Sequence, residues 1–96
     1  MSEETTVTVT HDPVASRFEA VADGLRSVAD YELVGNVMWM THTGVPYALR
    51  GHGIAAQLVA AALAHAREHG WRVRPQCSYV AAYMQRHPET QDLLDR

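Results

Sequence analysis

The sequence predicts an α/β fold in which an antiparallel strand meander is followed by one βαβ crossover and a C-terminal helix. Residues before Pro46 alternate in polarity, an alanine-rich segment after it has helical spacing, and a short β-like segment follows that helix. A strand, a helix and a second strand of one sheet form a crossover, which is right-handed in nearly all proteins. Since 96 residues can bury one core, we expect a single domain over residues 1–96.

The meander is predicted from alternating polarity and from two turn signals. Asp23-Gly24 and Gly35-Asn36 favour two-residue hairpin turns, because these residue types tolerate positive φ. The four predicted strands are Thr6–His11, Arg17–Ala22, Arg26–Val34 and Val37–Thr43.

The fourth predicted strand changes character along its length. Val37 to Met40 is apolar on both faces, which predicts a central strand covered on both sides, with Trp39 in the core. Thr41-His42-Thr43 is polar. We therefore expect the end of this strand to lie at the mouth of a cleft.

The second half of the chain reads as helix, strand, helix. Apolar residues recur at helical spacing from Ile54 to Ala66, and Gly70 is a left-handed cap that ends the helix near His69. The next predicted elements are a short strand Trp71–Pro75, a helix from an N-cap at Ser78 to about Arg86, and a short helix or extension over Thr90–Arg96.

Composition and charge exclude several classes of protein. With 47% hydrophobic residues the chain is not of the disordered type, and a net charge of −3 provides no positive field for nucleic acid or for an anionic membrane. The mostly apolar stretch Ile54–Ala66 is too short to span a bilayer.

The single cysteine and the amino-terminal residues indicate a cytoplasmic protein. Cys77 alone can form neither an internal disulfide nor a cysteine-based zinc site, and it fits a reducing compartment. Residues 1–6 are polar and acidic, unlike a secretory signal.

The run from Arg50 to Ala55, immediately before and at the start of the long helix, is typical of a phosphate-binding turn. A helix start presents unpaired N–H groups and the positive end of the helix dipole, while Gly51 and Gly53 give a ligand close access. Arg50 adds a permanent cation, and His52 is either a further donor or an exposed side chain. A glycine-rich loop that only turns the chain is the alternative.

The same glycines also satisfy the dinucleotide pattern G-x-G-x-x-A, which ends at Ala56. That function requires the glycines to follow the strand directly and an acidic residue to end the next strand. Residues 44–49 intervene here, and the next strand leads into Arg74-Pro75-Gln76-Cys77 without an acid. The pattern therefore argues against a dinucleotide-binding function.

Two motifs carry a family resemblance. The segment Val45-Pro46-x-x-Leu49-Arg50-Gly51-x-Gly53-Ile54-Ala55 is similar to the acetyl-CoA motif of the GNAT superfamily, whose core Q/R-x-x-G-x-G/A falls on Arg50, Gly53 and Ala55. The downstream run Pro75-x-Cys77-Ser78-Tyr79-Val80-x-x-Tyr83 resembles a group of small GNAT-like proteins. The resemblance covers Thr41 to Leu94 and implies a minimal GNAT-like fold. Typical members carry one or two helices between their first two strands, where this chain has only Asp12–Ser16.

The resemblance implies an acetyl-CoA-dependent N-acyltransferase that moves an acetyl group from CoA to an amine, with CoA as the donor and no metal. A backbone N–H of the fourth strand would polarise the thioester carbonyl. Pantetheine would run beside the strand end, and the pyrophosphate would sit on the turn. The implied cofactor-binding residues are Thr43, Gly44, Val45, Arg50, Gly51, His52, Gly53, Ile54 and Ala55.

Three side chains are candidates for catalysis. Cys77 falls at a helix start, which lowers a thiol pKa, and is a candidate acyl-accepting nucleophile; its alternative is a small buried residue. Tyr83 is the candidate general acid, with Tyr79 as a weaker competitor, and a core aromatic is the alternative. His42 is the candidate general base, or else a hydrogen-bonded histidine of the sheet.

Other features leave the function open. His65 and His69, with Glu68 between them, lack a third ligand at a meaningful spacing, so we interpret them as a solvated helix face. The alternative function is a non-catalytic CoA-binding sensor or protein-interaction module on the same fold. The acceptor amine is not identified by the sequence, and a monomer or weak homo-oligomer is expected.

Overall fold

The structure, a computed structural model, describes residues 4–96, so the first three residues of the polar amino-terminal segment lie outside it. Residues 4–96 contain one five-stranded sheet, two α-helices and two 3-10 turns. The elements are β1 (Thr10–Asp12), β2 (Arg17–Ala22), β3 (Leu25–Val34), β4 (Val37–Gly44), a 3-10 turn (Tyr47–Leu49), α1 (Ile54–Glu68), β5 (Arg72–Pro75), α2 (Ser78–Arg86) and a second 3-10 turn (Pro88–Leu93).

The sheet has the order β1-β2-β3-β4-β5, and this topology confirms the predicted α/β fold. The first four strands pair antiparallel as a meander, whereas β4 and β5 are parallel and joined through α1. Both predicted hairpin turns form. Asp23 and Gly24 have φ values of 52° and 72°, and Gly35 has a φ of 60°.

The core lies on one face of the sheet. Phe18, Ala29, Met38 and Val73 are buried on four successive strands, and the apolar stripe of α1 packs against that face. The prediction that β4 is covered on both sides is therefore wrong. Trp39, on the opposite face, is only half-buried, and its ring is covered by the guanidinium of Arg74, 4.9 Å from the ring centroid.

The first strand is shorter than predicted because its amino-terminal part is bound to α1 instead of β2. The side-chain amide of Gln57 donates to the carbonyl of Thr5 (2.6 Å) and accepts from the N–H of Val7 (3.0 Å). One side chain thus supplies the two hydrogen bonds that a neighbouring strand would otherwise provide. Pairing with β2 begins at Thr10.

Two irregularities open the sheet at the end of β4. Pairing between β4 and β5 stops at Met40 and Pro75, and a register shift opposite Asp30 and Tyr31 leaves Thr41 as an extra residue in β4. The N–H of Cys77 still donates to the carbonyl of Met40 (3.0 Å). Beyond that bond β4 and the segment after β5 no longer pair, and the polar end of β4 lies beside the gap between them.

The chain after β5 differs slightly from the prediction. The N-cap of α2 is Cys77, not Ser78, which is instead the first helical residue. The second 3-10 turn replaces the predicted terminal helix or extension, and the N–H of Asp95 then donates to the carbonyl of Val73 (3.0 Å). Across residues 4–96, every helix falls short of the length and apolar character needed to cross a membrane.

Candidate functional site

A cavity of about 550 Å³ lies between the end of β4 and the first turn of α1. Its walls come from the strand end, the loop that follows it and the helix start, with one contribution from α2. The lining residues are His42, Thr43, Gly44, Val45, Leu49, Arg50, Gly51, Gly53, Ile54, Ala55, Ala56 and Tyr79. The polar end of β4 therefore borders a cleft, as the sequence predicts.

The glycine turn leaves the start of α1 open to this cavity. Gly51 and Gly53 have φ values of 84° and 77°, a region that side chains disfavour. Gly53 is the N-cap of α1, and within residues 4–96 no side chain caps the helix at this position. The first N–H groups of α1 and the positive end of its dipole are therefore suited to an anion. Ile54, 2% exposed, anchors the turn in the core.

The Arg50 side chain is held at the rim of the cavity. Its Nε donates to the carbonyl of Val45 at 3.1 Å, and its guanidinium carbon lies 5.8 Å from the centroid of the Tyr47 ring. This geometry places a permanent positive charge beside the glycine turn.

Cys77 borders the opening between β4 and α2. Its sulfur lies 3.5 Å from Oγ1 of Thr43, which lines the cavity. Burial raises the pKa of the Cys77 thiol, but the Thr43 hydroxyl and the backbone N–H groups of Tyr79 and Val80 outweigh it, so the pKa falls below 9.0. The helix start thus favours the thiolate, which is the nucleophilic form.

His42 stands on the exposed wall of the cavity. Its Nε2 lies 3.0 Å from the point where a side chain on Gly44 would begin, so the ring occupies the space that the glycine leaves. His42 is exposed to water.

The two tyrosines of α2 lie in different environments. Tyr79 lines the cavity, whereas Tyr83 is 8% exposed, stacks on His87 with ring centroids 3.9 Å apart, and borders a separate cavity of about 220 Å³. Burial raises the pKa of both hydroxyls and keeps them protonated at neutral pH. Sequence spacing could not rank them, because residues four apart share one helix face.

His52 is placed differently from the rest of the turn. It is half-buried and lies outside the cavity lining, and its carbonyl accepts a hydrogen bond from the N–H of Thr5 (2.9 Å). The preceding Glu4 lies against the turn, with Oε2 3.0 Å from the point where a side chain on Gly53 would begin. An acidic side chain of the chain itself therefore touches the candidate anion site.

A mixed sheet whose parallel strands separate beside a glycine turn at a helix start defines the class of GNAT-like acetyltransferase domains. The chain belongs to the family described as GCN5-related N-acetyl-transferase, which matches residues 17–93.

Known proteins support this assignment over nearly the whole chain. It is 36% identical to Protein NATD1 of Mus musculus over 90 residues, covering 91% of this chain and 82% of that protein. It is 33% identical to Protein NATD1 of Xenopus tropicalis, covering 97% of this chain and 88% of that protein. The NMR solution structure of a GCN5-like protein from Staphylococcus aureus superposes with a TM-score of 0.73 at 25% identity, covering 99% of this chain and 91% of that one.

Proposed function

We propose that the protein is an acetyl-CoA-dependent N-acetyltransferase that uses the cavity between β4 and α1. One cavity extends from the polar end of β4 to the open start of α1, and this observation carries the proposal. Cys77 lies at the edge of the cavity, because its sulfur contacts the hydroxyl of Thr43, which lines the cavity. A phosphate-bearing cofactor with a thiol end is an extended molecule that needs such a path.

Cofactor binding follows from the two ends of the cavity. The pyrophosphate is held by the N–H groups at the start of α1 and by Arg50, where dipole and charge both favour an anion. Pantetheine runs beside Thr43 to Val45, where β4 no longer has β5 as a neighbour and its backbone groups can bind a ligand. His52 supports the turn through its backbone instead of lining the cavity.

Direct transfer requires little covalent chemistry from the protein. The amine nitrogen attacks the thioester carbonyl, a backbone N–H from residues 41–44 stabilises the oxyanion, and the C–S bond breaks. His42 removes a proton from the acceptor ammonium, directly or through water, and so produces the neutral amine that attacks. A tyrosine of α2 donates a proton to the departing CoA thiolate; Tyr79 is favoured over Tyr83 because it lines the cavity.

A two-step route through Cys77 uses the same groups. The thiolate attacks the acetyl carbonyl, a thioester forms on Cys77, and CoA leaves as its thiol after protonation. The amine then attacks this new thioester, the amide forms, and the Cys77 sulfur leaves. The lowered thiol pKa and the 3.5 Å contact with Thr43 support this route.

A CoA-binding sensor is the second candidate, and the short connection between β1 and β2 favours it. Only residues 13–16 join these strands, where longer family members build part of the acceptor site. Such a domain would bind CoA without turnover.

Thermal unfolding with CoA tests the cofactor assignment. A ligand at about 100 times its Kd stabilises the native state by about 2.7 kcal/mol, so a rise in Tm is expected. R50Q should weaken binding by at least about tenfold, since a hydrogen bond to a charged group contributes about 1.5–3 kcal/mol. R26Q is the matched control, because Arg26 lies on the open face of the sheet. No shift at millimolar CoA contradicts both candidates.

Two further measurements separate the candidates and the routes. Release of CoA thiol from acetyl-CoA in the presence of an amine panel indicates an enzyme, whereas binding without turnover indicates the sensor. Intact mass after brief exposure to acetyl-CoA should show an acetyl adduct that is absent in C77A. Full turnover by C77A would exclude the two-step route.

A further inference from the structure

A cluster of imidazole rings from two elements lies at the end of α1, away from the cavity beside the glycine turn. His65 and His69 occupy successive turns of α1, with ring centroids 4.0 Å apart, and His11 of β1 lies 4.5 Å from His65. The fold thus adds to the helix pair a third imidazole that is remote in sequence.

The donor atoms of the helix residues converge. One ligand atom from each of His65, Glu68 and His69 lies within 4.8 Å of the other two. Their order, His-x-x-Glu-His, is the H-x-x-E-H spacing that presents two imidazoles on one face of a helix in a class of zinc enzymes.

A hydrogen bond fixes the tautomer of one ring. Nδ1 of His69 lies 2.9 Å from the carbonyl of His65, which can only accept, so Nδ1 carries the proton and Nε2 keeps its lone pair. Such outer partners fix the tautomer of metal-bound histidines.

The surroundings leave room for an ion. A groove of about 410 Å³ is lined by His11, His65, His69 and Trp71. Within residues 4–96, neither ring nitrogen of His65 makes a hydrogen bond.

We propose that His65, Glu68 and His69 bind one divalent transition-metal ion, with Zn²⁺ the ion that this donor set fits best. Two imidazoles and one carboxylate match Zn²⁺, whereas Mg²⁺ and Ca²⁺ take oxygen ligands. The ion would hold the last turn of α1 and stabilise the fold. Because the site shares no residue with the cavity beside the glycine turn, it stands independently of the proposed acetyl transfer.

Calorimetric titration of the chelator-treated full chain with zinc chloride tests the site. We expect one equivalent to bind and Tm to rise with zinc concentration. H69Q, at an exposed position where the fold is not at risk, should weaken zinc binding at least about tenfold, a loss of about 1.4 kcal/mol. C77S is the control and should bind zinc as the parent protein does.

A further measurement examines the ligand set. Co²⁺ in place of Zn²⁺ should give visible absorption bands of a low-coordinate nitrogen and oxygen site, and these bands should disappear in H65N. Absence of saturable zinc binding, full affinity in H69Q or loss of binding in C77S would overturn the proposal.

Discussion

At the scale of single residues, Cys77 provides the sharpest test of the candidate site. Because the Thr43 hydroxyl lies 3.5 Å from the sulfur and lowers its pKa, T43V should move that pKa upwards while keeping the shape of the side chain. The pH profile of iodoacetamide alkylation measures this, with a midpoint below 9.0 in the parent protein. T41V is the control, since that hydroxyl donates to the Asp30 carbonyl instead. Equal midpoints in T43V and the parent would contradict the contact.

Ser27 provides a test of stability at the same scale. It is 1% exposed, and within residues 4–96 its Oγ has no hydrogen-bond partner. A buried unpaired hydroxyl costs about 1–3 kcal/mol, so S27A should raise the free energy of unfolding by about 1 kcal/mol. Urea unfolding measures the change. A loss of stability in S27A would show that the hydroxyl has a partner.

At the scale of elements, local sequence patterns were sufficient to predict where an element begins and ends wherever the segment pairs with its neighbour in sequence. β2, β3 and α1 begin and end within one or two residues of the prediction, because turn residues and apolar spacing are properties of the segment itself. β1 was overextended because the partner of Thr5 and Val7 is the Gln57 side chain, which no local pattern reveals.

The same amino-terminal segment yields a prediction about the glycine turn. Since the Glu4 carboxylate lies against Gly53, it repels an incoming pyrophosphate, and E4Q should strengthen CoA binding about two- to fivefold. Two like unit charges about 4 Å apart repel each other by about 1 kcal/mol in water, and this repulsion should weaken as the salt concentration rises. E32Q, which removes an exposed charge from β3, is the control. Equal gains in E4Q and E32Q would show that only net charge matters.

At the scale of the whole molecule, the sequence predicted which residues line the cavity better than it ranked the two tyrosines of α2. Arg50, Gly51 and Gly53 line the cavity with Thr43 to Val45, because a helix start and a strand end are both visible in sequence. The separation of Tyr79 from Tyr83 depends on how α2 lies against the rest of the fold. Likewise, the one-sided sheet follows from both helices packing on one face, which the apolar pattern of β4 does not reveal.

The contact between β1 and α1 makes the stability of the whole fold depend on pH. Burial is the main cause that lowers the pKa of His11 and of His65 below 6.5. Neighbouring imidazoles, including that of His69, lower both pKa values further. The negative charges of Asp12, for His11, and of Glu68, for His65, oppose this lowering. The unfolded chain therefore binds more protons than the native state below about pH 6.5, and protonation favours unfolding. This contribution to stability is present above that pH and is lost as the pH falls through the lower native pKa values.

Urea unfolding at pH 7.5 and at pH 5.5, with a chelator present, measures this dependence. The parent protein should lose stability on acidification, and H65N should lose less, because one depressed pKa is gone and the neighbouring ring at position 11 is relieved of its repulsion. V34A is the control, since Val34 is exposed, carries no titratable group and should leave the pH dependence unchanged. If H65N loses as much stability between pH 7.5 and pH 5.5 as the parent does, the acid sensitivity arises from other groups. The ring cluster would then be held together by the packing of uncharged surfaces alone.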